Sequence, residues 1–165
     1  MPERGTIELP LSVGRKNRVR VAAPRERIVA DPAAGRWTVA PADVAARTYP
    51  SRTSFARVWQ DERHALLVVW PATGRRRHQI RVHLAWIGHP VEGDPLFPGP
   101  GAPAGGRTCL HSWRIAFDAT WSGGARVTVE APPGEDFWAP LRGRLPGGTP
   151  AALLERARRA LGEPF

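Results

Sequence analysis

Apolar and polar residues alternate with a period of two over residues 6–11, 18–23, 36–40 and 52–59, the spacing that turns one side of a strand inward and the other outward. Gly or Pro bounds most of these runs, which predicts short strands. The apolar run 65–70 reads as a further strand. Residues 112–121 and 125–131 flank Ser122, Gly123 and Gly124 and predict a hairpin whose apolar face carries Trp113, Ile115, Phe117 and Ala119. The period changes in two places. After Thr73 and Gly74, apolar positions at Ile80, His83/Leu84 and Ile87 predict a helix that starts near Arg75 and stops at Gly88, where a left-handed cap costs little. A second helix is predicted over 150–161, with Thr149 as N-cap, Pro150 at the first helical position, Leu153, Leu154, Ala157 and Leu161 turned inward, and Gly162 after it. That helix reads as a peripheral closing element. Residues 97–106, FPGPGAPAGG, read as a loop without regular structure, and no internal repeat is found. The fold class is α+β, a mixed and mainly antiparallel sheet with few helices.

Length and composition set bounds on that fold. A chain of 165 residues with 42% hydrophobic content makes one domain with a real core. Charge changes the picture more: 24 Lys plus Arg against 15 Asp plus Glu leave +9, which favours a polyanionic partner such as nucleic acid or an acidic membrane face. Lys16 is the single lysine, so nearly all the charge is arginine, the side chain suited to bidentate contacts with phosphate or carboxylate. An overall Arg-, Ala-, Gly- and Pro-rich composition explains part of the excess but not its clustering. Cys109 is alone, which excludes an internal disulfide framework and a Cys-based zinc site and fits a cytoplasmic protein. No run approaches the roughly 20 apolar residues that span a bilayer, and MPERGTIELP lacks the apolar core of a signal peptide, so neither membrane insertion nor export is expected.

The clustering is sharpest in PATGRRRHQIRVHLAWIGHPVEGDPLF, residues 71–97, which gathers Arg75, Arg76, Arg77 and Arg81 around His78 with no acidic residue between Glu62 and Glu92. Guanidiniums buried or half-buried there need anions, which the spacing places outside this stretch. A strand turning at Thr73 and Gly74 into a helix offers amide N–H groups and a positive dipole end beside Arg75, Arg76 and Arg77, a combination that holds phosphate. Arg77 and Arg81 fall one helical turn apart, and Arg81, between Ile80 and Val82, lies close to the apolar stripe. A solvated basic face is the plainer alternative for the arginines. His78, His83 and His89 lack the spacing of helical metal ligands and have no carboxylate at ligand spacing, so no metal is expected. His78 instead reads as a hydrogen-bond donor shaping the corner, and His111 as a structural histidine opening a strand. No Ser or Cys stands in a nucleophile-elbow context.

These residues resemble a family. TGRRRHQIRVHLAWIGHPVEGDPLF is similar to the C-terminal motif of the RluA-type RNA pseudouridine synthases, TGRxHQIRxHLxxxGHPxxGDxLY. GTIELPL, RTSFARVW, LHSWRIAF and APPGEDF resemble further segments of that family in the same order, from about residue 5 to 137. The resemblance implies a pseudouridine synthase fold, an RNA partner of the rRNA or tRNA class, and isomerisation of uridine to pseudouridine without cofactor or metal. In such enzymes the target base is flipped out and an aspartate attacks the ribose or assists its elimination. The arginine matching Arg81 pairs with that aspartate in a supporting role. Arg75, Arg76, Arg77 and His78 would meet the RNA, while Thr73, Gly74, Gln79, His83, Gly88, Gly93 and Asp94 would hold the motif's shape, Asp94 by capping a tight turn.

The family's aspartate lies in an HRLDxxTSG segment upstream of the GTIELPL-like strand, and the 165 residues contain no such segment. The echo at 143–148, GRLPGG, has Pro146 where the carboxylate would be. The expected layout is therefore a partial synthase domain over 1–148 with a C-terminal helix over 149–165, arising from a mis-set start, a frameshift or a split gene. Two function classes stay open: a truncated or split pseudouridine synthase, and a non-catalytic RNA-binding relative. The relative would act either alone or with a partner that supplies the other half, and a separate chain would supply the N-terminal half of a split synthase.

Overall fold

The computed structural model of the chain describes residues 1–15, 18–44, 47–101, 106–145 and 150–162. Among these residues nine strands and three α-helices follow in order: β1 (Arg4–Glu8), β2 (Leu11–Val13), β3 (Val19–Val21), β4 (Ile28–Asp31), β5 (Arg36–Val39), β6 (Arg52–Gln60), β7 (Ala65–Thr73), α1 (Gln79–Trp86), β8 (Arg114–Ala119), β9 (Ala125–Glu130), α2 (Glu135–Trp138) and α3 (Pro150–Gly162). Five strands form the central sheet in the order β4-β5-β1-β6-β7, with β1 parallel to β5 and the other neighbours antiparallel. The class is α+β with a mainly antiparallel sheet. No described helix is long and apolar enough to cross a membrane.

Successive side chains along β1, β6 and β7 point to opposite sides, which gives this sheet two unlike faces. On one, Ile7, Trp37 and Phe55 pack with Leu9 beneath α1, whose Leu84 joins them and whose Ile80 and Trp86 are half-buried. Phe55 is fully buried, and Gly5 makes room for it: a Cβ on Gly5 would stand 2.5 Å from the ring. Each large side chain buried here contributes about 1.5–3 kcal/mol. On the opposite face, Val58, Trp59 and Val68 pack against Trp138, Leu141, Leu153 and Ala157, so α2 and α3 cover one end. The other end carries Arg4, Thr6, Glu8, Arg52 and Ser54, which alternate with the first core along β1 and β6. No helix covers it.

Several boundaries differ from expectation for local reasons. The run 6–11 divides at Pro10, which has no N–H for the ladder; β1 ends at Glu8, and Leu11 instead pairs with Val21 in the β2–β3 ribbon. β4 was not expected. Its residues Val29, Ala30 and Asp31 are exposed, so it carries no inward-outward pattern, yet it pairs with β5 across a turn where Asp31 Oδ1 accepts the Ala34 N–H at 2.9 Å. The hairpin of β8 and β9 begins at Arg114 rather than residue 112, and its predicted apolar face is partly uncovered: Ala119 is buried, but Ile115 is 56% exposed. Gly162 ends α3 from inside the helix, and Leu153 and Ala157 lie in the second core rather than at the periphery. The predicted N-cap Thr149, Lys16, residues 102–105 of the predicted loop and Pro146 lie outside the described residues. Phe97, at the start of that loop, packs against the small cluster of Leu11, Val19 and Val82.

Candidate functional site

The segment that joins β7 to α1 does not continue straight into a helix. Gly74 has φ +90°, and a Cβ there would meet Pro50 O at 2.8 Å and Ser51 Oγ at 2.9 Å. Arg75 (φ 42°) and His78 (φ 59°) also take left-handed conformations, which L residues adopt at a cost. The helix therefore starts at Gln79, four residues later than the periodicity predicts, and Arg77 stands outside it rather than one turn before Arg81 on the same face. Two residues, Arg76 and Arg77, separate Arg75 from His78 where the pattern TGRxHQ has one. The left-handed residues bracket that longer segment.

What holds the segment is the Gln79 amide, buried to 2% exposure. Its Oε1 accepts the Arg76 N–H at 3.0 Å, and its Nε2 faces Arg52 O (3.1 Å), Thr73 O (2.9 Å) and Thr53 Oγ1 (3.2 Å). The Arg76 amide expected to be free for phosphate is thus taken by a side chain. From Thr53 the network runs on to His83, whose Nδ1 is 2.8 Å from Thr53 Oγ1 and whose Nε2 is 2.9 Å from Leu9 O. A carbonyl only accepts, so His83 carries its proton on Nε2 and takes the Thr53 hydroxyl proton at Nδ1. Burial pushes its pKa down to about 4, with the Leu9 hydrogen bond acting the other way. His83 and Gln79 are scaffold, and Gly88 (φ +86°) follows the helix.

Arg81 has its anion nearby. Its Nε donates to Asp94 Oδ2 at 2.7 Å and its Nη2 to Asp94 Oδ1, while Oδ1 also accepts the amides of Leu96 (2.8 Å) and Phe97 (3.1 Å). The expectation that Arg81's partner lies outside residues 71–97 is corrected: it is Asp94, thirteen residues on, carried back to α1 by the turn at Gly93. There φ is +68° and a Cβ would sit 2.1 Å from Arg107 O. The Arg81 hydrogen bond, helped by the two amides against the effect of burial, holds the Asp94 carboxyl at about 2. The same bond raises the Arg81 pKa. His78 caps no helix amide with its side chain. It shapes the corner through its backbone, its carbonyl accepting the Val82 N–H at 2.9 Å, while its ring meets Phe97 edge-on. Burial, then the charges of Arg81 and Arg77, lower its pKa.

Beside this corner the uncovered end of the sheet forms the floor of an open groove of about 1410 Å³, walled on one side by residues 109–116 and α3. Its floor presents Arg4, Thr6, Glu8, Arg36, Arg52 and Ser54, and Arg75, Arg76, His78 and Arg81 reach its rim. Arg77 does not. Toward α2 the lining becomes aromatic, with Trp70, Trp113, Phe137 and Trp138. Among the described lining residues the one carboxylate is Glu8, 3.7 Å from Arg52 and 3.9 Å from Arg36. Asp31, Asp43, Asp61 and Asp94 do not line it. No described carboxylate pairs with Arg75, Arg76 or Arg77, and Arg76 instead lies over the Tyr49 ring, 4.0 Å from its centroid. His111 donates to Ala131 O at 2.6 Å ahead of β8. The motif thus supplies three rim arginines, of which Arg81 is paired with Asp94, and a scaffold. The floor arginines Arg4, Arg36 and Arg52 and the ring of Tyr49 escaped the sequence reading, although the polar half of the alternation in β1 and β6 marked their face.

No family model matches the chain. It is 33% identical over 116 residues to a dual-specificity RNA pseudouridine synthase RluA of Pasteurella multocida, covering 70% of this chain and 44% of that protein. To an RNA pseudouridine synthase of Chloroflexus aurantiacus it is 34% identical over 140 residues, covering 85% of this chain and 35% of the relative. In structure it resembles human RNA pseudouridylate synthase domain containing 4 with a TM-score of 0.55 and 18% identity, over 96% of this chain and 57% of that one, a likeness of fold. The chain spans less than half the length of the curated relatives it matches.

Proposed function

We propose, from the premise that this chain belongs to the RluA-type RNA pseudouridine synthase family, that its groove holds RNA during conversion of uridine to pseudouridine in rRNA or tRNA. The observation that carries the reading is the uncovered sheet end, where arginines from β1, β5, β6 and the 74–78 segment face one concave surface beside aromatic rings. Guanidiniums bind the phosphodiester backbone, and aromatic rings receive unstacked bases.

The reaction breaks a carbon–nitrogen glycosidic bond and needs a carboxylate that can attack or deprotonate the ribose. The described groove offers none that is free: Glu8 lies between two arginines, and Asp94 is buried against Arg81. In this reading residues 1–165 supply the RNA-holding half of the site and an HRLD-bearing segment supplies the nucleophile. Those engaged carboxylates also favour a second reading, a relative that binds RNA without catalysis. Tritium release from RNA labelled at uridine carbon 5 separates the two. Residues 1–165 alone should release none. Adding an HRLD segment from a full-length relative, fused or in trans, should restore release, and Arg81→Ala should then lower it at least tenfold. Turnover by residues 1–165 alone would overturn the division of labour, and no release with the segment, while RNA binding persists, would favour the binding protein.

A further inference from the structure

Arg76 is held at two points, its backbone amide and its guanidinium. Its N–H is fixed by Gln79 Oε1 at 3.0 Å, and its guanidinium lies over the ring of Tyr49. Tyr49, the one tyrosine in the chain, is itself pinned: its N–H donates to Leu11 O at 2.8 Å and its carbonyl accepts the Leu11 N–H at 3.0 Å, an isolated bridge to the start of β2. Ser51 Oγ donates to the same carbonyl at 3.0 Å. Behind Arg76 is therefore an aromatic plane attached to a strand, while Arg76 itself stays exposed on the groove rim. Arg75 and Arg77 have no such backing among the described residues. An exposed arginine gives up much rotamer freedom when it grips an anion, and a ring beneath the guanidinium takes that loss during folding instead. The long edge of the guanidinium remains open for donation to phosphate oxygens.

We infer that Tyr49 is a positioning residue that presents Arg76 as the pre-oriented phosphate contact of the groove, the ligand being an RNA phosphodiester. This rests on the RNA-binding reading above. The test is a double-mutant cycle read by fluorescence anisotropy of a labelled, structured RNA, with the slope of affinity against salt measured for each variant. Tyr49→Leu should weaken binding about fivefold and flatten the salt slope by about one contact's worth, because the unbacked guanidinium no longer engages one phosphate. Tyr49→Phe should stay within about twofold of the parent. Arg76→Lys, which keeps the charge without the planar fork, should weaken binding by a similar factor while leaving the salt slope near the parent's. In an Arg76→Ala background, Tyr49→Leu should cost nothing further. Equal losses from Tyr49→Leu in both backgrounds, or no loss where Arg76→Ala weakens binding, would overturn the positioning role alone. A parent chain that fails to bind RNA at low salt would overturn the RNA reading and this inference together.

Discussion

At the scale of single residues, the motif's polar side chains divide by whether their bonding capacity is already used. Gln79, His83 and Asp94 are saturated and buried, whereas Arg75 and Arg76 reach the groove without a carboxylate. His83 makes this measurable. Its folded pKa is about 4 against an ordinary 6.5, so the folded state refuses a proton that the unfolded chain accepts. Stability from the neutral ring is full above pH 6.5 and falls as the pH drops from 6.5 toward 4, by about 3 kcal/mol across the window. Urea midpoints taken at steps through that range should decline steadily, and a flat profile would show that the Thr53–His83–Leu9 chain is not holding the ring neutral. Asp94 titrates in a lower window. With its carboxyl at about 2 against 3.8, its contribution is present above pH 3.8 and is lost as the pH falls from 3.8 to 2, so the two effects do not overlap. The Arg81–Asp94 pair was not legible in the sequence because its members are thirteen residues apart and meet only through the turn at Gly93, a tertiary closure with no periodic signature.

Among the elements, those rich in core residues were legible: β6, β7 and α3 lie where alternation, an apolar run or helical spacing puts them, because β6 and β7 fill a core on each face of the sheet and α3 buries one side against the second. β4 was not, since its solvated residues break no pattern and make none. The start of α1 was misplaced for a different reason. Periodicity reports only which face is apolar, while the start is set by Gln79 bonding to Arg52 and Thr53, far back in the chain, and by the left-handed turns that bring it there. Gly74 carries the consequence. Alanine at that position must hold φ near +90° and place its Cβ 2.8 Å from Pro50 O, a backbone atom two residues ahead of β6. Gly74→Ala should therefore cost about 1–3 kcal/mol. It should also move Arg75 and Arg76 off the rim, so that RNA affinity falls even in molecules that remain folded. Thermal unfolding and RNA binding on the same preparation check both halves, and an unchanged melting temperature with unchanged affinity would mean that the segment tolerates another path.

For the whole molecule, the uneven covering of one sheet turns net charge into a directed surface. Of the +9 carried by the chain, the part that faces the groove is not all equally free. Arg81 is committed to Asp94, Arg114 lies 3.8 Å from Glu130, and Arg36 and Arg52 share Glu8 at distances too long for a firm hydrogen bond. Arg75 and Arg76 face no described carboxylate. Exposed pairs such as those of Glu8 are held weakly, so a phosphate can displace the carboxylate from one or both partners. That gives three or four phosphate contacts, fewer than the number of arginines in the lining. For a single strand each contact adds about 0.7 to the slope of log affinity against log salt, so the slope should lie between about −2 and −3. Raising salt from about 50 to 200 mM should then lower affinity by about 20-fold to 50-fold, with little dependence on the base sequence. Anisotropy titrations of a labelled single-stranded RNA at several salt concentrations give the slope directly. A value shallower than −1 would mean that the groove's arginines are spent on internal carboxylates and that the positive sheet end is not where RNA lies.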